Sequence, residues 1–242
     1  MKLSAMSSRV LLAVLWSVIV LATTGCATGP DRRDPLEPFN RGVMRFNDDL
    51  DTALIRPVAT AYQEHVPSPA RKAVSNVFSN LGDVWSVANN LLQLKIQRAA
   101  EGLMRVSINT VFGLGGVLDI ATEAGLERHR EDFGQTLGHW GVPPGPYLVL
   151  PVLGSSTVRD ASALVVDRRG DLVQQIDPTG SRNAAQALRA VDTRASLLRA
   201  SRLLDEVSLD RYTFMRVVYL QRRRADIFDG ETPPASGETK DE

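Results

Sequence analysis

Apolar side chains recur three and four positions apart through much of the chain, which is the spacing of one helix face. The pattern predicts helices over Pro38 to Asp51 and over Ser68 to Gln97. Prolines stand near their starts, where a missing backbone N–H costs little. The second segment should carry one broad apolar face, formed by Val74, Val77, Phe78, Leu81, Val84, Trp85, Ala88, Leu91 and Leu92.

Two more amphipathic helices are predicted in the C-terminal third. From Ala184 to Leu198 the apolar positions lie opposite arginines, and Arg211 to Asp226 repeats that spacing. The second helix closes on the run Arg222-Arg223-Arg224. These cations either end the helix in solvent, where they favour its dipole, or contact anionic lipid headgroups.

Two long stretches with few charges need a separate explanation. Gly102 to Ile120 carries Gly113, Gly115 and Gly116, each of which weakens a helix by about 1 kcal/mol relative to alanine, so we expect a helix that ends or bends near Gly113. Phe133 to Val158 holds no Asp, Glu, Lys or Arg, but its prolines and glycines break any helix. Because irregular backbone cannot face lipid, this segment is either the wall or gate of a pathway or a buried loop or short hairpin.

The N-terminus predicts export and lipidation. Lys2 and Arg9 precede an apolar run over Leu11 to Ala22, and Gly25-Cys26 supplies the small-residue junction of a bacterial lipoprotein signal peptide. Cys26 is the predicted lipidation site. Thr23 departs from the leucine that is commonest there, so an ordinary secretory peptide or an N-terminal membrane helix stays open as the alternative.

Composition excludes some classes of function. Two of the 28 basic residues lie in the predicted leader, so the remainder carries 26 against 28 acidic residues, a net charge of −2. Nucleic acid is therefore not an expected partner, since its binding needs a strongly basic face. A single cysteine and three histidines offer no metal site, and no cofactor motif is present.

The sequence holds no recognisable catalytic motif, so we do not expect an enzyme. The alternative is a lipoprotein phospholipase with Ser155 or Ser156 as nucleophile, beside His139 and Asp160. The chain divides into a signal peptide (1–25), a lipidated tether (26–34), a helical domain (35–228) and a disordered tail (229–242).

Specific strings carry a family resemblance. They are DPLEPFNR at Asp34 to Arg41, RFND at Arg45 to Asp48, RP at Arg56-Pro57, VPSPAR at Val66 to Arg71, NTVFGLGG at Asn109 to Gly116, and FGQTLGHWGVPPGPYLVLPVLGSSTVRD at Phe133 to Asp160. In this order they resemble the MlaA family, also called VacJ, of outer-membrane lipoproteins that maintain lipid asymmetry.

The resemblance implies an all-α, ring-shaped domain of amphipathic helices around a central channel, with an irregular Gly/Pro-rich loop. It also implies transport of misplaced phospholipids from the outer leaflet of the outer membrane to a periplasmic carrier protein. A trimeric porin is the implied partner, and the implied location is the periplasmic leaflet of the outer membrane. A purely structural porin-associated lipoprotein is the alternative.

The resemblance also implies roles for particular residues. Phe46 and Asn47 match the region that affects channel gating in the family. Four positions match a loop thought to act as a hinge beside the channel, namely Gly138, Gly141, Gly145 and Pro146.

Overall fold

The computed structural model describes residues 34–207 and 209–230, and these are mostly helical. The helices are α1 (Glu37–Leu50), α2 (Arg56–His65), α3 (Ser68–Leu92), α4 (Ile96–Val111), α5 (Ile120–Glu123), α6 (Phe133–His139), α7 (Val158–Gly170), α8 (Thr179–Val207) and α9 (Arg211–Ile227). The predicted all-α class is confirmed. Cys26, the leader and most of the predicted tail lie outside the described residues.

The helices α1 and α2 join through a π-helical turn, Asp51–Ile55. Pro57 is the second residue after this turn and has no N–H to offer to the α-helical ladder. The N–H of Arg56 instead reaches back five residues to the carbonyl of Asp51. The wider turn therefore lets one helical rod continue past a proline.

The break between α3 and α4 is where the predicted helix boundary is wrong. The apolar pattern predicts a helix through Gln97, whereas α3 ends at Leu92. Leu94 adopts the left-handed conformation (φ 61°), and the N–H of Lys95 bonds the carbonyl of Asn90 at 2.9 Å. This turn is usually made by glycine, so a leucine there gives no sequence signal.

The apolar face of α3 exists but does not form the protein interior. The buried residues of this helix are Asn80, Asp83, Ser86, Asn89 and Asn90. On the predicted apolar face, Val84, Leu91 and Leu92 are 38%, 49% and 49% exposed. The other six residues of that face are half-buried, so the helix turns its polar side inward and leaves its apolar side partly exposed.

Arg105 is the centre of the polar interior beside α3. Its side chain is 1% exposed and bonds Asp119 Oδ1 at 3.0 Å, Thr122 Oγ1 at 3.1 Å and the carbonyl of Leu126. Asn109 completes the cluster by donating to the same Asp119 oxygen at 3.0 Å. These bonds fold the segment after α4 back onto that helix, which ends at Val111, as predicted from the glycines that follow.

The uncharged segment from Phe133 to Val158 forms α6 followed by a short hairpin. Strands β1 (Tyr147–Leu150) and β2 (Gly154–Thr157) are antiparallel, with Tyr147 opposite Thr157 and Leu150 opposite Gly154. The segment therefore contains a short hairpin preceded by an exposed loop (residues 140–146), and its role as the wall or gate of a pathway stays a prediction. Across residues 34–207 and 209–230, no helix has both the length and the apolar run required to cross a bilayer.

The free energy of unfolding depends on pH through Asp119 and the groups bonded to it. Burial raises the pKa of Asp119, but hydrogen bonds from Thr122 and Asn109 and the charge of Arg105 outweigh it and lower the pKa to about 2. A carboxyl group whose pKa falls on folding stabilises the fold above its unfolded pKa, and that contribution is lost as the pH falls through the folded value. The loss is about 2 kcal/mol between pH 5 and pH 2.

Asp119→Asn should therefore be less stable than the wild type at pH 5, by an amount that shrinks by about 2 kcal/mol at pH 2. Urea unfolding of the detergent-solubilised protein, followed by circular dichroism, measures both free energies. Thr122→Val removes one of the hydrogen bonds to Asp119, together with the one from Arg105 to the Thr122 hydroxyl, and should show an intermediate pH dependence. The same difference in unfolding free energy between Asp119→Asn and the wild type at both pH values would contradict this explanation.

Candidate functional site

A polar cavity of about 420 Å³ lies between α3, the start of α6 and α8. Its lining is mostly hydroxyl, amide and charged side chains: Ser75, Phe78, Ser79, Gly82, Asp83, Ser86, Arg130, Glu131, Asp132, Gln135, Arg189, Asp192, Thr193 and Ser196. The inward-facing polar side of α3 supplies one wall. The cavity is therefore a direct consequence of the inverted orientation of that helix.

The acidic groups of this cavity are balanced by cations that lie around it. Burial raises the pKa of Asp83, opposed by Arg128, whose Nε donates to it at 3.1 Å. Burial also raises the pKa of Glu131, against the hydrogen bond from Gln93 and the charge of Lys95. The walls thus present fixed ion pairs and dipoles, which suit a charged or zwitterionic group more than an alkyl chain.

The outer surface has the opposite character. Large apolar side chains are exposed along α3, α4 and the turn that follows α4, and Phe112 is 69% exposed. The others include Leu91, Leu92, Leu94, Ile96, Leu103, Met104, Val111 and Leu114. An apolar surface of this extent is typical of contact with lipid or with another protein.

Asn47 ties the hairpin to α1. Its side-chain Nδ2 donates to the carbonyl of Leu150 at 2.9 Å, and its Oδ1 accepts the N–H of Val152 at 2.8 Å. Asn40, two helical turns earlier, makes the same pair of bonds to Tyr147 and Val149, at 3.0 and 2.8 Å. We name these two side chains the asparagine clamp. They pair with β1 in place of a third strand.

Phe46, the neighbour of Asn47, lies on α1 and is 53% exposed. The two predicted gating residues therefore make different contacts. Asn47 bonds the backbone of the hairpin, whereas the phenyl group of Phe46 adds to the apolar outer surface.

Three of the predicted hinge residues lie in the Gly/Pro loop (residues 140–146) between α6 and β1, and the fourth lies in α6 just before it. Gly138 is in α6, where a Cβ would come within 2.7 Å of Arg159 Nη1. Gly141 (φ +85°) closes α6, since its N–H bonds the carbonyl of Gly138 and the next N–H bonds that of Leu137. Gly145 (φ +67°) packs on Val158.

The same loop is held by the start of α7. The N–H of Val158 bonds the carbonyl of Pro146 at 3.2 Å, and the N–H of Arg159 bonds that of Pro144 at 3.1 Å. Arg159 Nη1 donates to the carbonyl of Val142 at 3.3 Å. Unsatisfied donors in the first turn of a helix thus find acceptors in the loop.

Arg223 lies next to the candidate site, and the sequence does not predict this position. It donates to Asp132 Oδ2 at 2.6 Å and, through Nε, to Asp160 Oδ2 at 3.1 Å. Asp160 also accepts from Tyr219 at 2.8 Å and from Arg159 at 2.9 Å. Of the three terminal arginines of α9, Arg223 is therefore directed inward and joins α6, α7 and α9. A run of three cations does not indicate which one is buried.

The alternative catalytic residues have other partners. Ser155 Oγ bonds the hydroxyl of Tyr147 at 2.8 Å, and Ser156 is buried. Asp160 is occupied by arginines and a tyrosine, while His139 contacts the edge of Trp140 with ring centroids 5.7 Å apart. Within the described ranges, no group of three or more His, Cys, Asp or Glu side chains could hold a metal ion.

Comparison with known proteins gives consistent matches. A family model described as MlaA lipoprotein matches residues 32–226. Proteins named intermembrane phospholipid transport system lipoprotein MlaA are 37% identical in Shigella flexneri over 235 residues and 37% identical in Escherichia coli (strain K12) over 230 residues, each with 90% of both chains covered. The Haemophilus influenzae protein of that name is 33% identical over 237 residues, with 93% of both chains covered.

A solved structure agrees with these sequence matches. It comes from work on the structural basis for maintenance of bacterial outer membrane lipid asymmetry and is 37% identical in sequence. The TM-score is 0.70, and the match covers 81% of this chain and 100% of that chain. Fold and sequence therefore point to the same family as the motifs.

Loss of the Asn47 bonds should loosen the tip of the hairpin. In Asn47→Leu the amide of Val152 loses its acceptor and the carbonyl of Leu150 its donor, and each bond contributes about 1 kcal/mol. We expect amide hydrogen exchange over residues 150–153 to rise by about tenfold or more.

Two further variants separate the clamp from general destabilisation. Asn47→Asp keeps the acceptor for Val152 and should give an intermediate rate of exchange. Phe46→Leu leaves the clamp intact and is the control. Wild-type protection in Asn47→Leu would show that these bonds do not hold the hairpin.

Proposed function

This chain belongs to the MlaA lipoprotein family, and from that premise we propose that it transports phospholipids. It would take phospholipids that are misplaced in the outer leaflet of the outer membrane and pass them to a periplasmic carrier, which maintains the asymmetry of that membrane. The three relatives compared are lipoproteins of an intermembrane phospholipid transport system by name.

The single observation that carries this proposal is the inverted polarity of the fold. The buried face of α3 is made of amide, hydroxyl and carboxylate groups, while its apolar face is half-buried to exposed. A protein in water would gain about 25 cal/mol for each Å² of apolar surface turned inward. Exposed apolar stripes around a polar interior instead suit a protein with lipid outside and a hydrated path inside.

The polar cavity is our candidate for part of that path. A phospholipid that changes leaflet must move its charged headgroup through a region where an unpaired charge is very costly. Side chains such as Arg130, Asp192 and Gln135 can exchange hydrogen bonds with the headgroup as it passes. Such a route is passive, because it lowers a barrier and performs no chemical work. The ring-shaped arrangement around a channel is part of this proposal.

We further propose that the body lies in the periplasmic leaflet, held by a lipid on Cys26. Residues 27–34 of the tether span roughly 27 Å at full extension, at about 3.4 Å per residue. That length keeps the domain against the membrane. A trimeric porin and a soluble carrier complete the proposed set of partners.

The Gly/Pro loop is the proposed gate of this path. Gly141 and Gly145 have positive φ and can change conformation without the penalty of a Cβ, while Gly138 and Pro146 lie at either side of them. The asparagine clamp on one side and α7 on the other side hold the segment that such a gate would release. Phe46 and Asn47 would then affect gating through the hairpin.

Replacing Gly141 and Gly145 together by alanine should impair lipid passage, because alanine is strained at positive φ and stiffens the loop. Phospholipid at the cell surface, measured by digestion of intact cells with an added phospholipase, should rise toward the level of a deletion strain. Gly125→Ala is the matched control, since Gly125 also has positive φ (+80°) with no atom near its Cβ position. Normal surface phospholipid in the double variant would remove these glycines from the gate.

Deletion of the gene tests the function itself. We expect phospholipid at the cell surface and sensitivity to detergent, both reversed by the wild-type gene. Unchanged asymmetry in the deletion strain would reject transport and favour the structural porin-associated alternative. Fatty acid released from phospholipid vesicles by the purified protein, and absent from a Ser155→Ala, Ser156→Ala variant, would favour the phospholipase.

A further inference from the structure

A second pocket, of about 230 Å³, lies between α2 and α8. Three arginines line it together with hydroxyl and amide groups, one carboxylate and one leucine: Arg56, Thr60, Gln63, Glu64, Arg194, Leu198, Ser201 and Arg202. Ala59, Ala195 and Leu198 pack into a small buried cluster between the same two helices. The pocket therefore has a rigid floor.

The π-helical turn places the first arginine. Its five-residue repeat brings Asp51 and Arg56 onto the same side of the rod, and Arg56 Nε lies 3.2 Å from Asp51 Oδ2. Without this turn, residues five apart would point in different directions. The turn thus has a consequence beyond accommodating the proline: it builds one wall of the pocket.

The same carboxylate orients the second arginine. Arg194 on α8 contacts both oxygens of Asp51, through Nε at 2.6 Å and Nη2 at 2.8 Å, and its Nη1 donates to Ser201 at 3.2 Å. The hydrogen bond from Arg194 lowers the pKa of Asp51 in spite of partial burial. Asp51 therefore stays ionised at neutral pH and holds guanidinium groups from two helices side by side.

Arg202 stands two turns further along α8 and completes the set. Its Nε points to the carbonyl of Leu198 at 3.4 Å. In both Arg56 and Arg202 the Nε atom already makes a contact, which orients the guanidinium group. The two terminal nitrogens are then the donors best suited to a forked contact with a tetrahedral anion. With Glu64 and Asp51 as the acidic groups, the three arginines leave the site with a net charge of +1.

We propose that this pocket binds a phosphate group. Guanidinium forks match phosphate oxygens in pairs, and Thr60 adds a hydroxyl donor at the same site. The shared chemistry is a phosphate monoester or diester, and its source is either a phospholipid headgroup or a soluble phosphate compound. Binding of a phosphate group at this pocket does not depend on the proposed function. Only the choice of a phospholipid headgroup as the source of that phosphate rests on it.

The pocket lies close to the polar cavity, which favours a phospholipid headgroup as the source of the phosphate. Asp192, in the wall of the polar cavity, accepts a hydrogen bond from Tyr62 of α2 at 3.1 Å. Asp192 and Leu198 are on the same helix, about 9 Å apart along its axis. One helix therefore borders both the polar cavity and the phosphate pocket, and a lipid bound at the pocket would stand beside the proposed path.

Binding to the full chain purified in a phosphate-free detergent tests this inference. The two probes are inorganic phosphate and dihexanoylphosphatidylglycerol, each titrated by calorimetry and followed by ³¹P NMR. We expect Arg202→Gln and Arg56→Gln each to weaken binding about tenfold or more, since each removes a charge-assisted contact. Arg199→Gln is the matched control, because Arg199 is exposed on the same helix outside the pocket.

Each outcome is decisive. Arginine-dependent binding of both probes supports a general phosphate site, and arginine-dependent binding of the lipid alone supports a headgroup site. Equal affinity in Arg202→Gln, Arg199→Gln and the wild type overturns the proposal, as does the absence of binding to either probe. Because Arg202 does not contact Asp51, its variant keeps the test valid even if Arg56→Gln disturbs the π-helical turn. The deletion experiment rejects transport independently of what the purified protein binds.

Discussion

The interior of this protein is held largely by hydrogen bonds between polar groups, although some buried amide oxygens, among them those of Asn80, Asn90 and Gln93, have no hydrogen-bond partner. A buried arginine, amide or carboxylate without a partner costs several kcal/mol, so each one fixes the position of the groups around it. Arg105 does this for the segment after α4, and Arg223 does it for α6, α7 and α9. In an ordinary soluble domain the same role falls to packed apolar side chains.

This constraint explains why the apolar surface can face outward without loss of a defined fold. Directional bonds set the geometry of the interior, and the small apolar clusters, such as Ala59 with Ala195 and Leu198, only fill local gaps between helices. The exposed stripes of α3 and α4 are then free to contact lipid. The polar contacts of the interior and the apolar outer surface thus both follow from the same distribution of side chains.

The sequence predicts the elements of this fold better than it predicts their orientation. Helical spacing located α3, α8 and α9, and glycine marked the end of α4, because these signals are local. Periodicity shows that α3 has an apolar face but not which face is buried, since that depends on the surrounding solvent. The turn at Leu94 was missed because a left-handed leucine carries no local signal.

The candidate site was predicted in part for the same reason. The motif resemblance selected Asn47 and the loop glycines by position, but the amide bonds to Leu150 and Val152 depend on a contact more than one hundred residues away in the chain. The arginine pairs are equally non-local. Asp51 and Arg194 lie 143 residues apart, and nothing in the sequence around either of them indicates the other.

The rod formed by α1, the π-helical turn and α2 connects these non-local contacts. At one end the asparagine clamp holds the backbone of β1, and at the other end Arg56 and Tyr62 face the pocket and the polar cavity through their bonds to Asp51 and Asp192. A helix that slides or rotates moves all of its side chains together, because its backbone bonds are continuous. The hairpin and the wall of the polar cavity are therefore both bonded to this rod, on opposite sides of the π-helical turn.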